Sequence, residues 1–109
     1  SRRFAVTYMD AEDFLACERD WEDAVLAGQI QYIDIRDSKK GKFGTLRMLS
    51  NDETLIVTVW NEQWVVLEEQ LTEIKDKNKL FAISGRVKYD TWKEHNVLMS
   101  CKETKVIEL

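Results

Sequence analysis

Basic and aromatic side chains alternate along two stretches of this sequence, in a pattern suited to holding a nucleic-acid strand. The first stretch, Ser38 to Phe43, carries three lysines and ends in an aromatic ring, and the second runs from Arg86 to Lys93. Cations can follow the phosphates of a single strand while flat side chains stack on its bases, each stack contributing roughly 1–3 kcal/mol. The candidate binding residues are Lys39, Lys40, Lys42, Phe43, Arg47, Arg86, Lys88, Trp92 and Lys93.

These residue types also have simpler interpretations. A lysine-rich hairpin is often only a solvated turn. Phe43 and Trp60 could be buried against the N-terminal part of the chain instead of being displayed to a ligand. Trp21 and Trp64 are predicted to belong to the core, because large aromatic side chains dominate buried clusters.

The sequence contains few combinations of residues that are typical of a catalytic site. His95 is the single histidine, and with no cysteine or carboxylate at ligand spacing it is predicted to be a surface residue in a turn. Acid pairs such as Glu68–Glu69 are better explained as helix surface than as a catalytic dyad. The chain has no glycine-rich phosphate loop, Ser–His–Asp order or zinc motif. We therefore expect a domain that is not an enzyme by itself and that uses no cofactor and no metal.

The composition describes a globular domain. The chain has 109 residues, of which 44% are hydrophobic and 33% are charged, and it has no apolar run long enough for a membrane span. Cys17 and Cys101 are far apart and lack metal-ligand spacing, so we expect two reduced thiols in a cytoplasmic protein. Because the sequence starts without methionine and ends within a strand-like segment, we expect a domain of a larger protein or a trimmed chain.

The net charge of −4 argues at first against a nucleic-acid ligand, but the charges are segregated. Asp10 to Leu26 holds seven acids and one arginine, and Asn61 to Asp76 holds five acids and one lysine. Arg36 to Arg47 holds five basic residues and one acid, and Lys79 to Lys102 holds five basic residues and two acids. If the acidic and basic segments face different directions, a phosphate backbone contacts mainly the basic side. The alternative is a set of ordinary solvated faces.

The acidic N-terminal segment has the pattern of an amphipathic helix. Asp10 is a predicted N-cap, with a second acid at Asp13, and Gly28 is a predicted stop signal. Apolar residues recur at i, i+3, i+7 and i+11, namely Phe14, Cys17, Trp21 and Val25. We expect this helix to cover one end or side of the following strands with Trp21 as its anchor, or else to dock against a neighbouring domain. Phe4 to Met9, before it, is predicted to be a short strand or an extended arm.

Three strands are predicted next, followed by a second helix. Ile30 to Arg36 is the first strand, and the change of apolar parity between Tyr32 and Ile33 indicates a β-bulge. Ser38 to Lys42 forms a hairpin in which Gly41 can take positive φ. Period-2 alternation places an inward set in the second and third strands: Leu46, Met48, Leu55, Val57 and Val59.

The second helix is predicted to begin with Asn61 as its N-cap. Its apolar stripe consists of Trp64, Leu67, Leu71 and Ile74. In the fourth strand, Arg86 and Lys88 alternate outward while their apolar neighbours face the core. A turn from Asp90 to Asn96 and a fifth strand, Val97 to Cys101, follow, and Thr104 to Leu109 extends that strand or returns to the N-terminal segment.

A three-stranded meander, a helix and two further strands is the layout of the OB-fold, a small Greek-key barrel whose strand face commonly binds nucleic acid. The order of the motifs adds to this likeness: a Lys39–Lys42 turn, an acidic turn ending in Thr54, a β-branched strand ending in Trp60, an acidic helix, and Gly85-Arg86-Val87. From Gly28 to Leu109 the sequence resembles the OB domain of the bacterial DNA polymerase III alpha subunit. It is also similar to the OB modules of anticodon-binding domains and single-strand-binding proteins.

The resemblance implies a mainly β fold with some helix: a five-stranded OB-fold barrel at residues 28–109, with residues 1–27 forming an arm and an extra helix packed on it. It implies an accessory module of a replication protein that binds single-stranded DNA, alongside other domains of a larger parent such as a polymerase. Two alternatives stay open: an OB domain that binds RNA or tRNA, as in anticodon-binding modules, and an OB domain that binds another protein.

Overall fold

The computed structural model describes residues 7–109, within which two helices and six strands occur. In chain order these elements are α1 (Ala11–Ala16), β1 (Asp23–Ser38), β2 (Gly41–Ser50), β3 (Glu53–Val59), α2 (Asn61–Thr72), β4 (Leu80–Asp90), β5 (His95–Met99) and β6 (Val106–Glu108). Neighbouring strands follow the order β1-β2-β3-β5-β4, and β1 pairs again with β4, so the sheet closes into a barrel. The predicted barrel, with a helix between its third and fourth strands and an extra N-terminal helix, is confirmed.

The length and bend of β1 allow this closure. Its first half pairs antiparallel with β4 from Asp23 to Gln29, and its second half pairs with β2 out to Ser38. The register shifts between Ile30 and Tyr32, which confirms a bulge slightly before the predicted position. Because a bulge bends a strand and increases its twist, one strand can belong to both sides of the barrel.

The prediction of a long N-terminal helix was wrong. Asp10 does cap a helix, since its Oδ1 accepts a hydrogen bond from the Asp13 N–H at 3.1 Å, but α1 ends at Ala16. Residues 23–27 instead pair with β4, so the boundary that we drew between residues 27 and 28 falls inside β1. Trp21 is not an anchor, because it has a φ of 67° and is 55% exposed. Phe14, which is fully buried, takes that place.

Long-range pairing explains this difference. Residues 23–28 read equally well as a strand, since Ala24, Leu26 and Gly28 alternate with more exposed neighbours. A helical stripe and a strand alternation can coincide over a few residues, and tertiary context then overrides local propensity. Here the pairing partner, β4, lies about sixty residues away in sequence, and it cannot be identified from the local pattern alone.

The α1 segment is attached to the barrel through one buried amide. The side chain of Asn96, in β5, donates hydrogen bonds from Nδ2 to the carbonyl oxygens of Phe14 (2.8 Å) and Cys17 (2.7 Å). The Phe14 carbonyl also accepts a hydrogen bond from the Cys17 N–H at 3.3 Å, so Asn96 supplements this bond and satisfies the Cys17 carbonyl at the end of α1. α1 packs against β5 and β3.

The inward sets of the middle strands are as predicted. All five predicted side chains of β2 and β3 are buried, and so are Ile83 and Val87 in β4. In α2 the residues Trp64, Leu67 and Leu71 are buried, while Ile74, beyond the end of the helix, is half-buried. The indole of Trp64 lies directly over Gly44, so closely that a Cβ at this glycine would overlap the ring.

The C-terminal region differs in detail from the sequence prediction. β5 runs from His95 to Met99, so His95 is a half-buried strand residue and not part of the turn. Val106–Glu108 neither extends β5 nor returns to the N-terminal segment, but pairs with β4. The strand or arm predicted at residues 4–9 lies partly outside the described residues; Met9 donates a backbone hydrogen bond to Val25. Neither helix within residues 7–109 is long and apolar enough to cross a membrane.

Candidate nucleic-acid interface

Three neighbouring strands present a continuous surface on the outside of the barrel. Alternate residues of β1, β2 and β3 point away from the core, and the strand register aligns them across the sheet. We call this surface the outer face and define it by three rows: Tyr32–Arg47–Ile56, Asp34–Thr45–Thr58 and Arg36–Phe43–Trp60. Thr58 is buried within its row, and Trp60 directly follows the end of β3.

The first row displays a cation on an aromatic ring. The guanidinium carbon of Arg47 lies 5.5 Å from the centroid of the Tyr32 ring, within the range of a cation–π contact. Tyr32 is 54% exposed, so this pair is open to solvent. A ligand base could stack on either flat group, because both guanidinium planes and aromatic rings serve that purpose.

The third row contains an aromatic pair. The ring centroids of Phe43 and Trp60 are 5.1 Å apart, with an interplanar angle of 31°. The Nε1–H of Trp60 lies 2.9 Å from the sulfur of Met99, a contact that fixes the orientation of the indole. The alternative that Trp60 is buried is wrong, because 40% of it is exposed. Phe43 is half-buried beneath this surface.

The lysine-rich hairpin lies beside this aromatic pair. Lys39, Lys40 and Trp60 line a common cavity of about 630 Å³, open to solvent. Gly41 has a φ of 111°, as the tight turn requires. Neither Lys39 nor Lys40 forms an ion pair with any of residues 7–109, whereas Lys42 lies 3.9 Å from a carboxylate oxygen of Asp37.

Asn61 holds the hairpin in place, a role that the sequence did not indicate. It was predicted to be the N-cap of α2, but the N-cap is Trp60 and Asn61 is the first helical residue. Its Nδ2 instead donates to the carbonyl oxygens of Gly41 (2.8 Å) and Lys42 (3.0 Å) and approaches the Ser38 hydroxyl at 3.1 Å. The hairpin is thereby fixed against the start of α2.

Replacing Asn61 with alanine is expected to loosen the hairpin and to lower the free energy of unfolding by about 1–2 kcal/mol, because hairpin carbonyls lose their donor. Amide hydrogen exchange of residues 38–42 should accelerate more than exchange in β4. The matched control is Asn78→Ala, because the Asn78 side chain makes none of the hairpin contacts. Unchanged exchange in the hairpin of the Asn61 variant would show that other contacts order the turn.

The loop between β4 and β5 also contributes to the outer face. Lys93 lines the same groove as Tyr32 and Arg47, and Trp92 beside it is 96% exposed. Asp90 orders this loop, since its Oδ1 accepts hydrogen bonds from the backbone N–H groups of Trp92 (2.9 Å) and Lys93 (3.0 Å). The N–H of Lys93, with a smaller effect from that of Trp92, holds the pKa of the Asp90 carboxyl below its usual range.

Two predicted binding residues lie elsewhere and have acidic partners. Arg86 is placed between Asp23 (3.3 Å) and Glu103 (3.7 Å), in a cavity that does not include the outer-face residues. Lys88 bonds Asp20 at 3.1 Å and lies 5.5 Å from the centroid of the Trp21 ring.

Asp20 is the counter-charge of Lys88. The hydrogen bond from Lys88, followed by one from the backbone N–H of Tyr89, lowers the pKa of the Asp20 carboxyl from its usual value. The Asp20 carboxylate offsets the charge of Lys88, so the pair contributes little net positive charge to the surface. The structure brings together Lys39, Lys40, Phe43, Arg47 and Lys93, but not Lys42, Arg86 and Lys88, each of which lies beside a carboxylate.

Several residues of the outer face were not among the binding residues predicted from the sequence. These residues are Tyr32, Asp34 and Arg36. They are spaced two positions apart, so their side chains lie on the same side of the strand. The alternation after the bulge could have identified them. Their alignment with particular residues of β2 depends on the register, which the local pattern does not specify.

Comparison with known proteins yields structural likeness only. No protein-family model and no curated protein matches the sequence. Among solved structures, RecG bound to a three-way DNA junction superimposes with a TM-score of 0.68 and 12% identity, covering 94% of this chain and 13% of that one. The S. pombe Stn1–Ten1 complex matches with a TM-score of 0.58 and 14% identity, over 80% and 57% of the two chains.

A third match is the S. cerevisiae mitochondrial single-stranded DNA-binding protein Rim1, with a TM-score of 0.56 and 18% identity, over 83% of this chain and 98% of that one. Identities this low establish the fold alone. The closed barrel, the helix between β3 and β4 and these superpositions together show that the chain is an OB-fold domain.

Proposed function

We propose that this domain binds single-stranded DNA across its outer face and lysine hairpin. The observation that carries the proposal is the placement of Lys39 and Lys40 against the Phe43–Trp60 pair. Cations for phosphates beside flat rings for bases are the two components that binding of a single strand requires. Arg47 with Tyr32 repeats this combination at the other end of the face.

The charge distribution favours the same surface. Asp20 and Asp23 pair with Lys88 and Arg86 on β4. In α2, Glu62 lines the same cavity as Lys39 and Lys40, whereas Glu69 lines a separate cavity farther along the helix. Lys39 and Lys40, which form no ion pair with any of residues 7–109, are available to a phosphate backbone. Because the net charge of the chain is −4, we expect weak binding by the domain alone, with a dissociation constant in the tens of micromolar or higher.

The structural neighbours are consistent with a DNA ligand. Rim1 is a single-stranded DNA-binding protein, and RecG was solved with a three-way DNA junction. The present chain spans only 13% of the RecG chain. We extend the proposal to an accessory module within a larger cytoplasmic replication protein, similar to the DNA polymerase III alpha subunit, with no catalytic activity or cofactor of its own.

The first experiment is a fluorescence titration of the protein with oligo-dT, oligo-rU and a tRNA. Stacking on Trp60 should quench the emission, and oligo-dT should bind at least as tightly as oligo-rU. Tighter binding of tRNA would favour an anticodon-type RNA function. If none of the three ligands changes the fluorescence or the anisotropy of a labelled strand, the domain is not a nucleic-acid binder and protein binding becomes the better hypothesis.

The Lys39→Ala/Lys40→Ala double variant tests the hairpin. Each phosphate contact to a single strand adds about 0.7 to the slope of log affinity against log salt, so losing two contacts should reduce the slope by about 1.4 and weaken binding at low salt. Lys102→Ala/Lys105→Ala removes the same charge near β6, away from the outer face, and should leave the slope nearly unchanged. Equal effects of the two double variants would contradict a specific role for the hairpin.

A further inference from the structure

The middle row of the outer face contains a carboxylate, which a surface built only for phosphates would exclude. Asp34 lies opposite Thr45 in the register, between the Arg47–Tyr32 pair and the Phe43–Trp60 pair. Its side chain is 37% exposed. Asp34 is ion-paired with Arg36, and its free oxygen accepts hydrogen bonds but cannot donate them, so the position favours a ligand group that offers hydrogen-bond donors.

Asp34 is fixed in a groove of suitable size for one base. Its Oδ2 accepts a hydrogen bond from Nε of Arg36 at 2.8 Å, which orients the carboxylate and leaves its remaining lone pairs available. The groove has a volume of about 240 Å³. It is lined by Tyr32, Asp34, Arg36, Phe43, Thr45, Arg47, Ile56 and Lys93. Polar groups therefore lie at its centre, with flat side chains on both sides.

The four bases differ in what they can offer to such a carboxylate. Guanine carries two adjacent donors on its Watson–Crick edge, N1–H and the N2 amino group, and these can bond the two oxygens of one carboxylate. Adenine and cytosine each offer an amino group next to an acceptor nitrogen. Thymine offers one N–H between two carbonyl oxygens, which a carboxylate repels. Guanine also has the O6 and N7 acceptors that arginine and lysine recognise.

We propose, building on single-strand binding by the outer face, that this groove holds one guanine base with its Watson–Crick edge on Asp34. Tyr32 or Phe43 supplies the stacking surface, and Arg47 or Lys93 faces the acceptor side of the base. The domain then binds a single strand with a preference for guanine at one position, set by Asp34. The remaining contacts, to phosphates and base faces, are insensitive to sequence.

The test compares oligo-dT strands that carry one central guanine, hypoxanthine, adenine or cytosine, in the presence of lithium to prevent guanine quadruplexes. The guanine strand should bind the wild-type protein at least about fivefold more tightly than the others, the low end of the discrimination given by a bidentate contact. Hypoxanthine lacks the N2 amino group and should lose most of this preference. Thermal melting should confirm that each variant below is folded.

Asp34→Asn should abolish the preference for guanine, because a neutral amide cannot accept both the N1–H and the N2 amino donors of the base. The matched control is Asp37→Asn, which removes the same charge from an exposed side chain that does not line the groove, and which should retain the preference.

Binding of oligo-dT with no preference for guanine would overturn this inference and leave the proposed function standing. The inference is equally wrong if Asp34→Asn and Asp37→Asn raise all affinities alike, since Asp34 would then act only as a charge. If no strand binds, both the proposed function and the inference are overturned.

Discussion

The double substitution Phe43→Ala/Trp60→Ala is expected to weaken binding of oligo-dT by at least about 30-fold. The two rings provide the largest flat surface near the hairpin lysines, and each base stack contributes roughly 1–3 kcal/mol by alanine substitution. Because the rings are in contact, their effects should not be additive, and the double variant is the appropriate measure. Anisotropy of a labelled oligo-dT strand at low salt measures the loss without relying on the intrinsic fluorescence that Trp60 supplies.

Tyr89→Ala is the matched control for this substitution. Tyr89 is also an exposed aromatic residue of the barrel, but it lies on β4 beside Asp20, outside the outer face. Its replacement should change the affinity less than about twofold, as expected for a residue that makes no contact with the ligand. Equal losses for the two variants would place the interface elsewhere on the barrel, and an unchanged affinity in the double variant would exclude the aromatic pair from binding.

The largest effect on stability is expected from Trp64→Ala, which should reduce the free energy of unfolding by about 3–5 kcal/mol. The Trp64 indole is 1% exposed and fills the space above Gly44, so its removal leaves a cavity between α2 and β2. Urea denaturation followed by circular dichroism measures the loss.

Trp21→Ala provides the contrast, since the sequence assigned both tryptophans to the core. Trp21 is 55% exposed and contacts Lys88 on the surface, so its replacement should cost less than about 1 kcal/mol. A loss comparable to that of Trp64→Ala would mean that the loop carrying Trp21 is integral to the barrel core. A small loss in both variants would contradict the packing of α2 on β2.

In the middle of the domain, the local pattern of residues determined which side chains face the core. Alternation in residues 44–50, 55–57 and 83–88 specifies which side chains face the core, because a strand exposes opposite faces at successive residues. The stripe from Trp64 to Leu71 specifies the buried side of α2 in the same way. The Asp10 cap and the turn at Gly41 depend on contacts within a few residues, so they too could be predicted.

Features that depend on partners distant in sequence could not be predicted from the local pattern. Residues 23–27 suit a helix or a strand, and pairing with β4 decided between them. Arg86 and Lys88 alternate outward as predicted, but only the tertiary structure places them beside Asp23 and Asp20, which offset their charge.

The set of residues that forms the outer face likewise depends on pairing between strands that are distant in sequence. Tyr32 meets Arg47, and Asp34 meets Thr45, only because the bulge after Ile30 sets the register between β1 and β2. A shift of one residue would turn the opposite set of side chains outward. The sequence by itself thus determined which residues each strand could display, and the closure of the barrel decided which of them lie together, because register and closure are properties of paired strands and not of any one segment.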